Sequence, residues 1–153
     1  MQTFYRAADA AGPVSRSHLD MHTAIRGSLY RQFALLPAHA GDFSPDFYQL
    51  LQASGMDAVV RHTEAGGTFT HFTCEKFAAQ SATLELGKVM PFGANDLSLF
   101  AAADAAIRAW IADAPLPPRD KAPVDYFLVE ESIIKREGEF TLNLAADVEN
   151  FTA

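Results

Sequence analysis

The strongest constraint on this chain is the alternation, between residues 17 and 114, of short extended patterns with helical ones, each bounded by glycine, proline or a capping residue. The run SHLDMHT over 17–23 alternates, so His18, Asp20 and His22 share one strand face, with Leu19 and Met21 on the other. A second extended run, 29–36, closes at Pro37. Ser44, Pro45 and Asp46 then supply an N-cap, a first-turn proline and a first-turn acid. The helix they start has Phe47, Tyr48, Leu50 and Leu51 as its apolar stripe and Gly55 at its exit. Residues 56–62 read as a strand, AGGTFTHF as a loop before a short helix at 75–79, and SATLELG over 81–87 as another strand. Asn95 and Asp96 open the most regular helical pattern, whose residues Leu97, Phe100, Ala101, Ile107, Trp110 and Ile111 are expected to face a core. Such alternation belongs to an α/β layer with a partly parallel sheet.

Outside that block the pattern changes. Residues 1–15 are weakly patterned, and Gly12-Pro13 breaks any helix before them. The segment APLPPRDKAP over 114–123 carries four prolines and predicts a boundary: an α/β part over 1–114, a Pro-rich linker over 115–123, and a small β-rich subdomain over 124–153. The subdomain would start with strands at 124–136 and 139–144 meeting near Gly138.

With 153 residues, 49% of them hydrophobic, the chain has the size of one domain with a substantial core. Its 12 Lys+Arg against 19 Asp+Glu leave a net charge of −7, which argues against nucleic acid and anionic membrane as partners. An anionic ligand needs a local basic pocket instead. The single cysteine, Cys74, excludes an internal disulfide framework and a multi-cysteine zinc module. With no apolar run near membrane-span length and no secretory leader pattern, a cytoplasmic location is expected.

Ligands of α/β sheets gather at the carboxyl ends of strands, and two such ends carry reactive groups. His22 ends its strand two residues beyond Asp20, on the same face; it is either a metal ligand supported by that carboxylate or a hydrogen-bonded structural histidine. Glu85 interrupts the otherwise uncharged TLEL pattern, so its carboxylate is exposed, paired, or kept for acid/base chemistry with a raised pKa. Arg26, four residues after His22, either sits on the surface or lends a guanidinium to a small acidic substrate. His39, His62 and His71 have no ligand-like spacing, and no nucleophile elbow, phosphate loop or dinucleotide fingerprint is present.

Five segments in order, HLDMHTAIRGS, GGTFTHF, TLELGK, PFGANDLSLF and DVENFT, resemble the succinylglutamate desuccinylase and aspartoacylase family of zinc-dependent amidohydrolases. The resemblance covers nearly the whole chain after Arg16. It implies a mixed sheet flanked by helices, similar to the zinc carboxypeptidases but incomplete, with a small β-rich part following. It also implies His22 as a zinc ligand with Asp20 beside it, Glu85 as the acid/base group, and Arg26 holding a substrate carboxylate; Lys88 and Thr68 are further pocket candidates. The implied substrate is a small acidic N-acyl amino acid, N2-succinylglutamate for the desuccinylase branch.

The family's H-x-x-E segment, source of its other two zinc ligands, occurs nowhere in these 153 residues. The chain is therefore expected to correspond to the middle and later part of the enzyme, as a fragment that binds zinc poorly and turns over little substrate. Two other expectations stand beside it: a non-catalytic α/β module that self-associates into a homo-oligomer through unpaired sheet edges, and an aspartoacylase-type hydrolase.

Overall fold

A computed structural model of the chain describes residues 2–10, 12, 14–39, 41–133, 138, 141, 145 and 147–152. In chain order the elements are α1 (Gln2–Ala10), β1 (Ser17–Ala24), β2 (Phe33–Leu36), α2 (Pro45–Ala53), β3 (Ala58–Arg61), α3 (Phe69–Phe77), β4 (Gln80–Lys88), a 3-10 turn at Leu97–Phe100 that runs into α4 (Ala101–Ile111), and β5 (Asp125–Leu128). The strands form one mixed sheet in the order β1-β4-β2-β3-β5. Only the β4–β2 contact is antiparallel; the pairs β1–β4, β2–β3 and β3–β5 are parallel. The carboxyl ends of β1 and β4 thus lie at the same edge of the sheet as the amino ends of β2, β3 and β5.

Strand alternation gives the sheet two unlike faces. Ala34, Leu36, Val59, Ala82, Leu84 and Leu86 belong to the main core, in which they meet Phe47, Leu50 and Leu51 of α2 and Ala103 and Ala106 of α4. The other face carries His18, Asp20 and His22 on β1, in register with Ser81, Thr83 and Glu85 on β4. There α3 bonds through hydroxyls: Thr73 Oγ1 lies 3.0 Å from Ser81 Oγ, and Thr70 Oγ1 lies 3.3 Å from Thr83 Oγ1.

The second helix forms as its sequence reads. The Ser44 side chain accepts from the Phe47 N–H at its start, and Pro45 occupies the first turn. At its end the Met56 N–H reaches the Leu51 carbonyl and the Gly55 N–H reaches Gln52, a Schellman closure that places Gly55 at φ +83°.

Four expectations need correction. The extended run at 29–36 forms a strand only over Phe33–Leu36, and Leu29 bonds instead to the segment near the C-terminus through its N–H. The helix expected at 75–79 starts at Phe69, because the Thr68 hydroxyl caps it by accepting from the His71 N–H. The stripe expected to face a core over 97–111 does so only in part: Phe100 and Trp110 pack against it, but Leu97 is 72% exposed and Ile111 79%, and the buried residues are Ala103 and Ala106. The 3-10 turn advances 120° per residue instead of 100°, so a periodicity counted from Leu97 does not carry into α4. Small residues on the inner face let α4 approach α2 closely.

The proline-rich segment is the fourth. Arg119 Nη1 donates to the carbonyls of Gln52 (3.1 Å) and Met56 (2.8 Å), and Lys121 Nζ donates to Gly55 O (2.9 Å) and Asp57 Oδ1 (3.0 Å). Leu116 packs on the main core. Residues 115–123 therefore lie against the α2–β3 corner rather than spanning a gap, and β5 beyond them is the fifth strand of the same sheet. Of the strand expected at 124–136, only Asp125–Leu128 forms; 134–136, and 139–144 apart from Thr141, lie outside the described residues. Among the described residues no helix is long and apolar enough to cross a membrane.

Removing the Arg119 guanidinium takes the side-chain donor from the Met56 carbonyl and one of two donors from the Gln52 carbonyl, which still accepts from the Gly55 N–H. Arg119→Ala is expected to lower the unfolding free energy by about 2 kcal/mol in urea titration; a loss below about 0.5 kcal/mol would mean that the segment is only a tether.

Candidate active site

His22 and Glu85 are partners in the parallel β1–β4 register, near the carboxyl ends of both strands. Paired strands run about 4.8 Å apart, so the two side chains leave neighbouring positions on the same face. They line an open cavity of about 640 Å³ whose floor includes Phe33 and Leu35. On the antiparallel side Glu85 pairs with Phe33, so the carboxyl has an aromatic neighbour instead of a donor. Its Oε2 is buried with no hydrogen-bond partner among the described residues. Burial raises the Glu85 pKa above the usual carboxylate value, and the nearby His22 offsets this in part.

His22 Nε2 lies 3.2 Å from Asp20 Oδ1. A carboxylate at that distance favours the proton on Nε2 and leaves Nδ1 with the lone pair that a metal requires. Among the described residues, however, no three His, Cys, Asp or Glu side chains gather closely enough to hold a metal ion. The donors fit one ligand of a zinc site rather than a whole one.

Arg26 lines the same cavity. Its Nη1 donates to the carbonyls of Ala145 (3.2 Å) and Val148 (3.5 Å), while Nε and Nη2 have no partner among the described residues. The guanidinium thus holds the C-terminal segment and keeps free donors.

Other candidates sit elsewhere. His18 is structural: its Nδ1 lies 2.7 Å from Thr73 Oγ1, its ring meets Phe69 edge-on, and burial lowers its pKa against the opposing charge of Asp20. Thr68 is occupied in capping α3, and Lys88 lines a separate cavity of about 410 Å³ with Arg31 and Asp96. Cys74 is buried as expected of a small apolar side chain, and burial pushes its thiol pKa up.

Three residues that spacing did not single out line the main cavity: His62, Asn150 and Phe151. The last two belong to the DVENFT segment, which carried part of the resemblance but suggested no task. His62 follows β3, and only the sheet order brings that strand within reach of β4.

The family model of the succinylglutamate desuccinylase/aspartoacylase catalytic domain matches residues 2–111. The chain belongs to this family. Among curated relatives, succinylglutamate desuccinylase of Serratia proteamaculans is 48% identical over 138 residues, covering 90% of this chain and 42% of its own length. The Yersinia pestis enzyme of that name is 41% identical over 152 residues, 99% of this chain and 45% of its own length. The crystal structure of succinylglutamate desuccinylase from Vibrio cholerae superposes with a TM-score of 0.85 at 33% identity, over 99% of this chain and 45% of that one. The Chromobacterium violaceum enzyme gives 0.79 at 38% identity, over 97% of this chain and 47% of that one. The chain thus spans less than half the length of these family members, and within that span it has their mixed α/β fold.

The raised Glu85 pKa has a consequence for stability. The unfolded chain loses this proton near its ordinary value of 4.5, while the folded chain holds it to higher pH, so stability falls as pH rises between the two values. Glu85→Gln is therefore expected to raise the melting temperature by about 2 °C at pH 7 and by nothing near pH 4, followed by calorimetry. An equal effect at both pH values would show that the carboxyl titrates as it does in the unfolded chain.

Proposed function

We propose that this chain carries the acid/base half of a zinc-dependent amide hydrolase that cleaves N2-succinylglutamate to succinate and glutamate, a step of arginine breakdown by the succinyl route. The observation that supports this best is the paired position of His22 and Glu85 at one cavity, in a chain 48% identical to a succinylglutamate desuccinylase.

In this reading Glu85 takes a proton from the water that adds to the amide carbonyl and later delivers it to the leaving nitrogen. A carboxyl that binds its proton more tightly than usual suits both halves of that task. Arg26 offers its remaining donors to a substrate carboxylate and offsets negative charge inside an acidic chain. His22, kept in one tautomer by Asp20, contributes a single nitrogen ligand. A zinc ion there would lower the pKa of water and polarise the carbonyl, with its remaining ligands supplied from outside these 153 residues.

The chain alone should therefore hold zinc loosely. Metal analysis after dialysis against a weak chelator is expected to find well below one zinc per chain; a full equivalent that survives, and is lost in His22→Ala, would show a second set of ligands within the chain. Function is tested by placing this chain in the matching segment of the Serratia proteamaculans enzyme. The chimera should hydrolyse N2-succinylglutamate, and Glu85→Gln within it should lower kcat by at least about 100-fold with little change in KM. A folded, zinc-loaded chimera that keeps its kcat with glutamine at 85 would overturn the assignment.

A further inference from the structure

One polar side chain on the cavity wall has no part in the chemistry above. Residues 147–152 run beside the turn that follows β1, and Asn150 is fastened to it through both backbone groups. Its N–H donates to the Gly27 carbonyl at 2.9 Å and its carbonyl accepts from the Leu29 N–H at 3.2 Å, a one-residue parallel bridge opposite Ser28. Phe151 follows at φ +65°, a conformation uncommon for a bulky aromatic residue. The surroundings hold it there: its ring lies 4.9 Å from Tyr30, 5.1 Å from Phe33 and 5.3 Å from Phe127, centre to centre. Backbone of this kind persists where the fold over-determines it, and it concentrates at ligand sites.

The fixed backbone delivers a free side chain. Asn150 lines the cavity that holds His22, Arg26 and Glu85, and its hydrogen bonds among the described residues are made by the backbone, leaving the carboxamide without a partner there. Arg26 immediately precedes Gly27, so the guanidinium and the carboxamide leave the same backbone junction, and Arg26 Nη1 also ties down Ala145 and Val148 of the segment that carries Asn150. A carboxamide has two N–H donors and no charge. Beside a guanidinium it completes a donor set for a carboxylate without adding a second cation next to the histidine expected to bind metal.

We propose that Asn150 is a substrate-binding residue that donates to a carboxylate of the N-acyl amino acid, sharing that carboxylate with Arg26. This rests on the reading that the ligand is an N-acylated acidic amino acid. The remaining donors of Arg26 supply the charge, and Asn150 fixes the carboxylate's orientation.

The test uses the 153-residue chain in nuclear magnetic resonance titrations with N2-succinylglutamate and, in parallel, N-acetylaspartate. The Asn150 side-chain amide signals are expected to move with the first ligand. Asn150→Ala should weaken its Kd by about threefold to tenfold, the loss of one charge-assisted hydrogen bond. Asn150→Asp, equal in size but anionic, should weaken it further by repelling the carboxylate. A purely structural asparagine would tolerate aspartate, so equal Kd values for wild type and Asn150→Asp overturn the proposal. Hydrogen exchange at the Leu29 and residue-150 amides shows whether each variant keeps the segment in place; if either variant loosens it, the side-chain shifts of the wild-type protein decide. Shifts around Arg26 and Glu85 without any at Asn150 overturn the proposal and leave the substrate reading standing. A response to N-acetylaspartate alone removes the succinylglutamate reading, and the same variants then decide the role of Asn150 with that ligand. No movement at Asn150 with either ligand overturns it.

Discussion

The parallel register of β1 with β4 is the constraint on which the site depends. It sets His22 opposite Glu85 and, two and four residues earlier, Asp20 opposite Thr83 and His18 opposite Ser81. Because side chains alternate along a strand, a slip of one residue would turn Glu85 toward the helices and bring Leu84 into the cavity. The hydrophobic face forbids that slip. Ala82, Leu84 and Leu86 are all buried in the core, so the packing of apolar residues on one side holds the imidazole and the carboxyl together on the other. The two faces form one device: the dry one supplies the stability that keeps the reactive one in register.

The cost of the arrangement is local and falls on Glu85. One of its oxygens is buried without a hydrogen bond among the described residues, and its neighbour on β2 is a phenylalanine. A protein selected for stability alone would place an apolar or paired side chain there. The same burial gives the carboxyl a firmer hold on its proton, which is the property that acid/base chemistry near neutral pH requires. His18, four residues before His22 on the same face, shows the contrast. A hydroxyl partner and an aromatic edge occupy it, which leaves it inert.

The cavity is completed by residues far away in the chain. Arg26 reaches carbonyls at 145 and 148, and the aromatic rings of Tyr30, Phe33 and Phe127 surround Phe151. The turn after β1 is thus an organising point. It leaves the strand that carries His22, holds Arg26, and receives the returning segment through the Gly27 and Leu29 backbone. A Cβ at Gly27 would come within 2.7 Å of Glu149 Oε1, the far end of a side chain that would swing aside. Catalytic candidates from two strands and binding candidates from a turn and a returning segment meet because each is tied to a neighbour by backbone or guanidinium bonds.

Much of this was legible in the residues. Alternation exposed β1 and β4, the Ser44-Pro45 cap and Gly55 marked both ends of α2, and a lone carboxylate in an apolar strand drew attention to Glu85. These signals are local, and local patterns carry the physics of strands, caps and turns. The reading failed where distant packing decided. The 3-10 turn shifted the phase of α4, and the proline-rich segment proved to lie against α2 because Arg119 and Lys121 find carbonyls and a carboxylate there. Sequence by itself determined which residue types are present and which local elements they favour, including an imidazole and a carboxyl at strand ends. Only the tertiary structure decided that those strands are adjacent, in parallel and in register, and that His62, Asn150 and Phe151 line the same space. The reason is that strand order and segment docking depend on contacts between residues tens of positions apart, which no local periodicity encodes.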